Sequence, residues 1–251
     1  MINMLLILKR ILIRMMKFLS MPQLETLICQ IVSSRMAEIP SDEALRFLFR
    51  LDAFLYHLQG QKSVEYGGGL HTKHRHTRYH DFFTGNIQPT ERVLDIGCGI
   101  GALAYDVAKK SGAYVMGIDI NPNNIAQAKK RYEHPRVTYL LSDVLQKIPD
   151  GPFDVVILSN VLEHLKKRPA FLRHIRDVVL PSRLLIRVPL YERDWRVPLK
   201  QELNVEWRLD PTHEVEYSLE SFQEEIASAG LRINHREVKW GEIWAVVVPN
   251  V

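Results

Sequence analysis

Five short apolar runs, spaced between residues 92 and 188, set the pattern. RVLDI (92–96), YVMGID (114–119), VTYLL (137–141), FDVVIL (153–158) and RLLIRV (183–188) are rich in aliphatic and β-branched residues and read as strands. Residues 101–111, 122–133, 160–179 and 218–229 instead carry apolar positions at helical spacing. Apolar strands alternating with amphipathic helices predict an α/β, doubly wound fold, a parallel sheet covered on both faces. The C-terminal end breaks the alternation. LRINHREVK and EIWAVVV flank Trp240-Gly241, which predicts a closing antiparallel hairpin.

The first third of the chain is helical in pattern. QLETLICQIVSSRMAE breaks at Ile39-Pro40, because the residue before proline is pushed out of the helical region. Ser41 then caps a second helix with Asp42 and Glu43 in its first turn, expected to stop at Gly60. Residues 21–66 are thus an N-terminal helical appendage. Residues 1–20 form a basic amphipathic leader: Asn3, Lys9, Arg10, Arg14 and Lys17 share one face, and Met4, Leu8, Ile11, Met15, Phe18 and Leu19 the other. Two readings stand here, a peripheral membrane association on the inner face, or a chain whose true start is Met21. The longest apolar run is too short to span a bilayer.

Charge narrows the partners. Without the four basic residues of the leader, 29 basic and 29 acidic side chains remain, a neutral body in a chain of net charge +4. Bulk nucleic acid is therefore not the expected substrate, since its enzymes carry an excess of Lys and Arg to neutralise phosphates. Cys29 and Cys98 stand far apart without a CxxC, which fits a reducing, cytoplasmic setting.

The chemistry begins at VLDIGCGIGALAYDVA, residues 93–108. A strand ends at Asp95, and Gly97, Gly99 and Gly101 lead into a helix, so the chain can turn tightly and a ligand can approach the main chain. The spacing is neither the G-x-G-x-x-G of dinucleotide folds nor a P-loop. Asp119 ends the second strand 24 residues after Asp95, where an acid can hold both hydroxyls of a ribose. Asp143 follows the third strand, and Ser159-Asn160 follow the fourth.

These four signals, in this order, resemble the class I S-adenosylmethionine-dependent methyltransferases over roughly residues 78–249, most closely the broad type 11 group of quinone and small-molecule O-methyltransferases. The resemblance implies a Rossmann-like seven-stranded sheet of order 3-2-1-4-5-7-6 within residues 92–251, and S-adenosyl-L-methionine as cofactor. Asp95, Gly97 and Gly99 would line its methionine part. Asp119 would hold the ribose with Ile120 against the adenine, and Asp143 would meet the adenine amino group with Val144 beside it. Ser159 or Asn160 would close the pocket. The Asp/Asn-Pro-Pro-Tyr signature of amino-group methyltransferases is absent after the fourth strand, which shifts the expected acceptor toward oxygen or carbon.

Two histidines are candidates for a general base, His164 and His213. Asn160 is expected to cap the helix that starts there, with Glu163 closing a capping box and so serving structure. His213 lies in a connection of 27 residues, 190–216, far longer than an ordinary loop in such folds. Its Tyr191, Trp195, Trp207 and Asp210 put flat aromatics beside polar groups, suited to a saccharide. Residues 67–91, with GGGLHTKHRHTRYH, fall where the family covers its cofactor; Tyr79 would approach the cofactor, and Lys73 or Arg78 an anionic acceptor. No Cys or close Glu joins these histidines, so no metal is expected among them.

The reading is thus a methyltransferase acting on a small-molecule or glycan acceptor, a saccharide or lipid-linked glycan being favoured. A quinone-ring methyltransferase is the alternative within the class. Outside it stand a cofactor-binding module without turnover and, against the glycine spacing, a nicotinamide oxidoreductase.

Overall fold

The computed structural model describes residues 2–250, with the side chains of residues 2–5, 8 and 9 excepted. The expected amphipathic face therefore falls partly outside the described side chains, at Asn3, Met4, Leu8 and Lys9. Contacts divide the chain into two compact units, Met1–Tyr56 and His57–Val251. The division falls ten residues before the expected end of the helical appendage.

The first helices are α1 (Ile2–Met16), α2 (Met21–Met36) and α3 (Ser41–Tyr66). Ser20 and Gln23 form a capping box at the start of α2. Helix α3 does not stop at Gly60. A lone glycine costs a helix only about 1 kcal/mol, and a Cβ there would meet just one side-chain atom, 3.8 Å away on His71. The helix ends instead at the glycine run, where Gly68 and Gly69 take positive φ and the Gly69 N–H bonds back to the carbonyl of Val64. Among the described residues no helix is long and apolar enough to cross a membrane.

Two short helices follow, α4 (Lys73–Thr77) and α5 (Tyr79–Gly85), then β1 (Arg92–Ile96), α6 (Ala102–Ser111), β2 (Tyr114–Asp119), α7 (Pro122–Arg131), β3 (Val137–Leu141) and β4 (Val155–Ser159). The chain continues through α8 (Arg168–Val179), β5 (Arg183–Pro189), α9 (Arg196–Glu202), α10 (Leu219–Ser228), β6 (Leu231–Lys239) and β7 (Glu242–Pro249). The seven strands form one sheet of order β3-β2-β1-β4-β5-β7-β6, with β1 to β5 parallel and the final hairpin antiparallel. The order expected from the resemblance is the order observed.

Side chains alternate across the strands, as the two-residue period requires. Val93, Val155 and Ile157 pack with α5, α6 and α7 on one face. Leu94, Val156, Leu158 and Ile186 pack with α8 and α10 on the other. The sheet order reverses between β1 and β4, and ligands of such sheets bind at the carboxyl ends beside that switch.

Two expectations need correction. The helix expected at 160–179 is broken: Asn160 has φ +56°, residues Leu162–His164 form a single 3-10 turn, and α8 starts only at Arg168. Asn160 therefore caps nothing, and Glu163 closes no capping box. The segment 67–91 is also not one cover. Tyr79, Phe82, Phe83 and Ile87 are buried in the core, so α5 is part of the layer on the sheet, and only 67–78 lies outside it.

Candidate active site

The loop after β1 is shaped by its glycines. Gly97 and Gly101 have φ of +69° and +86°; a Cβ on either would stand 2.7 Å from Val161 or from the Tyr139 ring. A Cβ on Gly99 would meet nothing, so the turn opens onto free space there. The Gly99 N–H donates to Asp119 at 2.9 Å, and Asp119 also accepts from the Asn121 N–H and the Asn124 amide. The acid at the end of β2 thus holds the glycine turn in place.

Asp95 is different. It is 1% exposed, and its Oδ2 has no hydrogen-bond partner. Burial, reinforced by the neighbouring Asp119 charge, pushes its carboxyl up to about 8. A buried polar atom without a partner is rare in native proteins and costs about 1–3 kcal/mol or more. The orphaned side-chain atoms found among the described residues belong to Asp95, Asn160 and Glu163, at the carboxyl ends of β1 and β4.

An arginine binds these strand ends together. Arg187, 4% exposed, pairs through two nitrogens with Glu242 at 2.6 and 2.5 Å. It also donates to Ser159 Oγ at 3.3 Å, and its guanidinium lies 3.8 Å from the centre of the Tyr79 ring. Tyr79 in turn bonds His74 Nδ1 at 2.9 Å, and the same nitrogen is 3.2 Å from His80 Nε2. His80 ends the chain on Asp106, 2.7 Å away. Burial, with the His80 charge beside it, holds His74 down at about 3, so His74 is a neutral acceptor in this chain. The histidine-rich stretch is a hydrogen-bonded strap from Arg187 on β5 to Asp106 on α6.

Beyond Asn160, the 3-10 turn presents Glu163 and His164, and the long insertion brings His213 onto them. The Glu214 N–H bonds the Glu163 carbonyl at 2.7 Å, and the His164 and His213 rings meet edge to face at 4.6 Å. Burial, then the nearby His213, lowers His164 below its ordinary value.

Residues 94–186 match a family model described as a methyltransferase domain. Over that stretch the chain is similar to methyltransferase domains. It is 31% identical to 2-methyl-6-phytyl-1,4-hydroquinone methyltransferase of Synechocystis sp., over 58% of this chain and 48% of that one. It is 36% identical to ubiquinone biosynthesis O-methyltransferase of Bradyrhizobium sp., over 42% of each chain. The chain thus spans half or less of the length of these curated relatives. Among solved structures, magnesium protoporphyrin IX methyltransferase from Synechocystis with bound SAH superposes with TM-score 0.56 at 19% identity, covering 70% of this chain and 84% of that one. That likeness shows the fold.

The structure brings together half of the expected residues, His164 and His213 at the 3-10 turn and seven others around the glycine turn. Asp95, Gly97, Gly99 and Asp119 form one cradle, with Ser159, Asn160 and Tyr79 joined beside it through Arg187. Others lie apart. Asp143 spends both carboxylate oxygens on its own turn, at the Leu145 N–H and the Gln146 amide, while Val144 packs on the core. Ile120 is 70% exposed. Arg78 pairs with Asp81 in solvent, whereas Lys73, though exposed as a residue, is lowered below its ordinary value by burial of its ammonium and by the nearby Arg187. In the insertion, Tyr191 bonds Gln201 and stacks edge-on with Trp207, Asp210 caps Thr212, and Trp195 is 74% exposed.

Sequence reasoning missed Arg187, Glu242 and the unpartnered state of Glu163. A signal existed for the first: an arginine inside the apolar run RLLIRV cannot be buried without a carboxylate, and Glu242 opens the strand that pairs with it.

Proposed function

We propose that this protein is an S-adenosylmethionine-dependent O-methyltransferase acting on a small hydroxylated acceptor of the quinol class. The observation that carries the cofactor is Asp95. A carboxyl that is buried, unpartnered and beside an open glycine turn suits a ligand bearing an ammonium group. The cradle fits the rest: Asp119 has a carboxylate at the place of the ribose, and Ile120 offers an exposed apolar face for the adenine. The cofactor supplies an electrophilic methyl group on sulfur. The protein's part is to align the acceptor oxygen in line with it, worth effective molarities of about 10⁵ M or more, and to help the hydroxyl lose its proton. His164 and His213, with Glu163 beside them, are the groups at hand for that.

The quinol class is favoured because two of the named relatives act on hydroquinones or in ubiquinone biosynthesis by name. A saccharide or lipid-linked glycan is the second reading, supported by the exposed Trp195 and the Tyr191–Trp207 pair among charged groups. The N-terminal unit adds a location. Leu12, Ile13 and Phe18 are exposed beside Arg10, Arg14 and Lys17, which suits attachment to an anionic lipid surface, where a lipid-soluble acceptor would reside.

Stabilisation by S-adenosylhomocysteine but not by NAD in a thermal-shift assay tests the cofactor. Transfer of tritiated methyl groups into fractionated extract tests the acceptor: label in the quinone fraction supports the first reading, label in a glycolipid the second. Binding with no transfer into any fraction would leave a cofactor-binding module and sink the enzyme reading.

A further inference from the structure

Glu163 is 0% exposed, and neither of its carboxylate oxygens has a hydrogen-bond partner. Protonation does not resolve this, because a carboxylic acid so placed would still bury an unsatisfied O–H. A cation would. Two imidazoles stand beside it, and their hydrogen bonds determine which nitrogen each offers. The Thr212 hydroxyl donates to Asp210 Oδ1 at 2.7 Å, so its oxygen accepts from the Nδ1–H of His164 at 3.0 Å. His213 places Nδ1 3.2 Å from Glu216 Oε1. Glu216 also accepts from Arg193 and from the Leu209 N–H, so it faces the His213 ring as an acceptor. Nδ1 of each ring is therefore engaged, which leaves Nε2 as the nitrogen each can offer. Nδ1 anchored to a hydroxyl or carboxylate, with Nε2 free, is the arrangement by which proteins orient metal-binding histidines.

One ligand atom from each of Glu163, His164 and His213, a ring nitrogen in the two histidines, lies within 4.8 Å of the other two. Tetrahedral coordination with bonds of about 2.0–2.1 Å spaces ligand atoms about 3.3 Å apart. Closing the widest gap takes at most about 1.5 Å, shared between two side chains. The backbone holds them ready, since the Glu214 and Val215 N–H groups both bond the Glu163 carbonyl and tie the insertion to the 3-10 turn. His164 is exposed while Glu163 and His213 are buried, so an ion can enter from one side.

We propose that Glu163, His164 and His213 bind a divalent transition-metal ion. Two imidazoles and one carboxylate suit Zn²⁺, Mn²⁺, Fe²⁺ or Co²⁺ rather than the all-oxygen shells of Mg²⁺ or Ca²⁺. Three protein ligands leave a position open, as in catalytic rather than structural sites. The binding stands on the three residues alone; its purpose rests on the methyltransferase reading. At the open position the ion holds the acceptor hydroxyl and acidifies it, so that the proton leaves to solvent. The oxygen–carbon bond then forms as the sulfur–carbon bond breaks, with its electron pair left on sulfur. His164 and His213 are then ligands and take no proton.

The test uses the full chain, stripped with a chelator and titrated with Co²⁺ while its visible ligand-field absorption is followed, with Zn²⁺ counted by elemental analysis. One ion per chain is expected, with affinity reduced more than about 100-fold by His213→Ala and by Glu163→Gln, and about 10–100-fold by Thr212→Val, which removes only the support of His164. Glu163→Gln keeps the fold testable, because it replaces a carboxylate that has no partner to lose. Less than a tenth of an ion per chain, or equal binding by wild type and Glu163→Gln, overturns the site. Binding of S-adenosylhomocysteine by the stripped protein is measured in parallel: metal uptake without it leaves the site standing and removes the methyltransferase reading, and the reverse result does the opposite.

Discussion

Asp95 makes the protein's stability depend on pH in a direction opposite to that of most carboxylates. In the folded chain its carboxyl is pushed up to about 8, against an ordinary 3.8. Between those values the folded state keeps a proton that the unfolded chain has released, so stability from this group is full below about pH 4 and falls as pH rises toward 8. Each pH unit costs about 1.4 kcal/mol, or about 4 kcal/mol from pH 5 to pH 8. For a domain of this size 1 kcal/mol moves the melting temperature by about 2–4 °C. Asp95→Asn removes the titration. The variant's advantage over wild type, measured by thermal unfolding without ligand, should therefore grow by about 8–16 °C across that range. Parallel melting curves would refute the argument. The same carboxyl must ionise to meet a cationic ligand, so below pH 8 binding of S-adenosylmethionine should release one proton and weaken about tenfold per pH unit. Calorimetry in two buffers of different ionisation enthalpy reads that proton directly, and Asp95→Asn should lose both the proton and most of the affinity.

Other expectations follow from single contacts. Gly101→Ala places a methyl 2.7 Å from the Tyr139 ring at φ +86°, and chemical denaturation should show a loss of about 2–4 kcal/mol. Arg187→Met strands the Glu242 carboxylate and removes the cation under Tyr79; a loss of about 3–5 kcal/mol is expected, partly recovered in the double variant with Glu242→Gln. Asp106→Asn weakens the charge-assisted bond that anchors His80, worth about 1.5–3 kcal/mol, and trypsin should then cut after Lys73, Arg75 or Arg78 at least tenfold faster. Trp195→Ala should leave stability within about 0.5 kcal/mol while raising KM for the acceptor, because its ring is exposed and supports little of the fold.

The alternation of apolar strands and amphipathic helices, the glycine turn after Asp95 and the acid at the end of β2 were all legible in the sequence. Each depends on a local rule, the two- and 3.6-residue periods or the special φ of glycine, which a neighbouring segment seldom overrides. The break was legible only in part: the polar run Lys166–Arg168 ahead of Pro169 marks the start of α8, but the left-handed φ at Asn160 comes with its seat at the end of β4. The run through Gly60 was hidden, since a single glycine is cheap and the true stop lies seven residues on. What only the tertiary structure decided is the company each polar side chain keeps. Arg187 meets Glu242, 55 residues away, and Glu163 meets His213, 50 residues away, because the antiparallel pairing of β5 with β7 and a long insertion return distant segments to the carboxyl ends of β4 and β5. The energy of a buried charge depends on its partners and on excluded water, and neither is written in the residue's own neighbourhood along the chain.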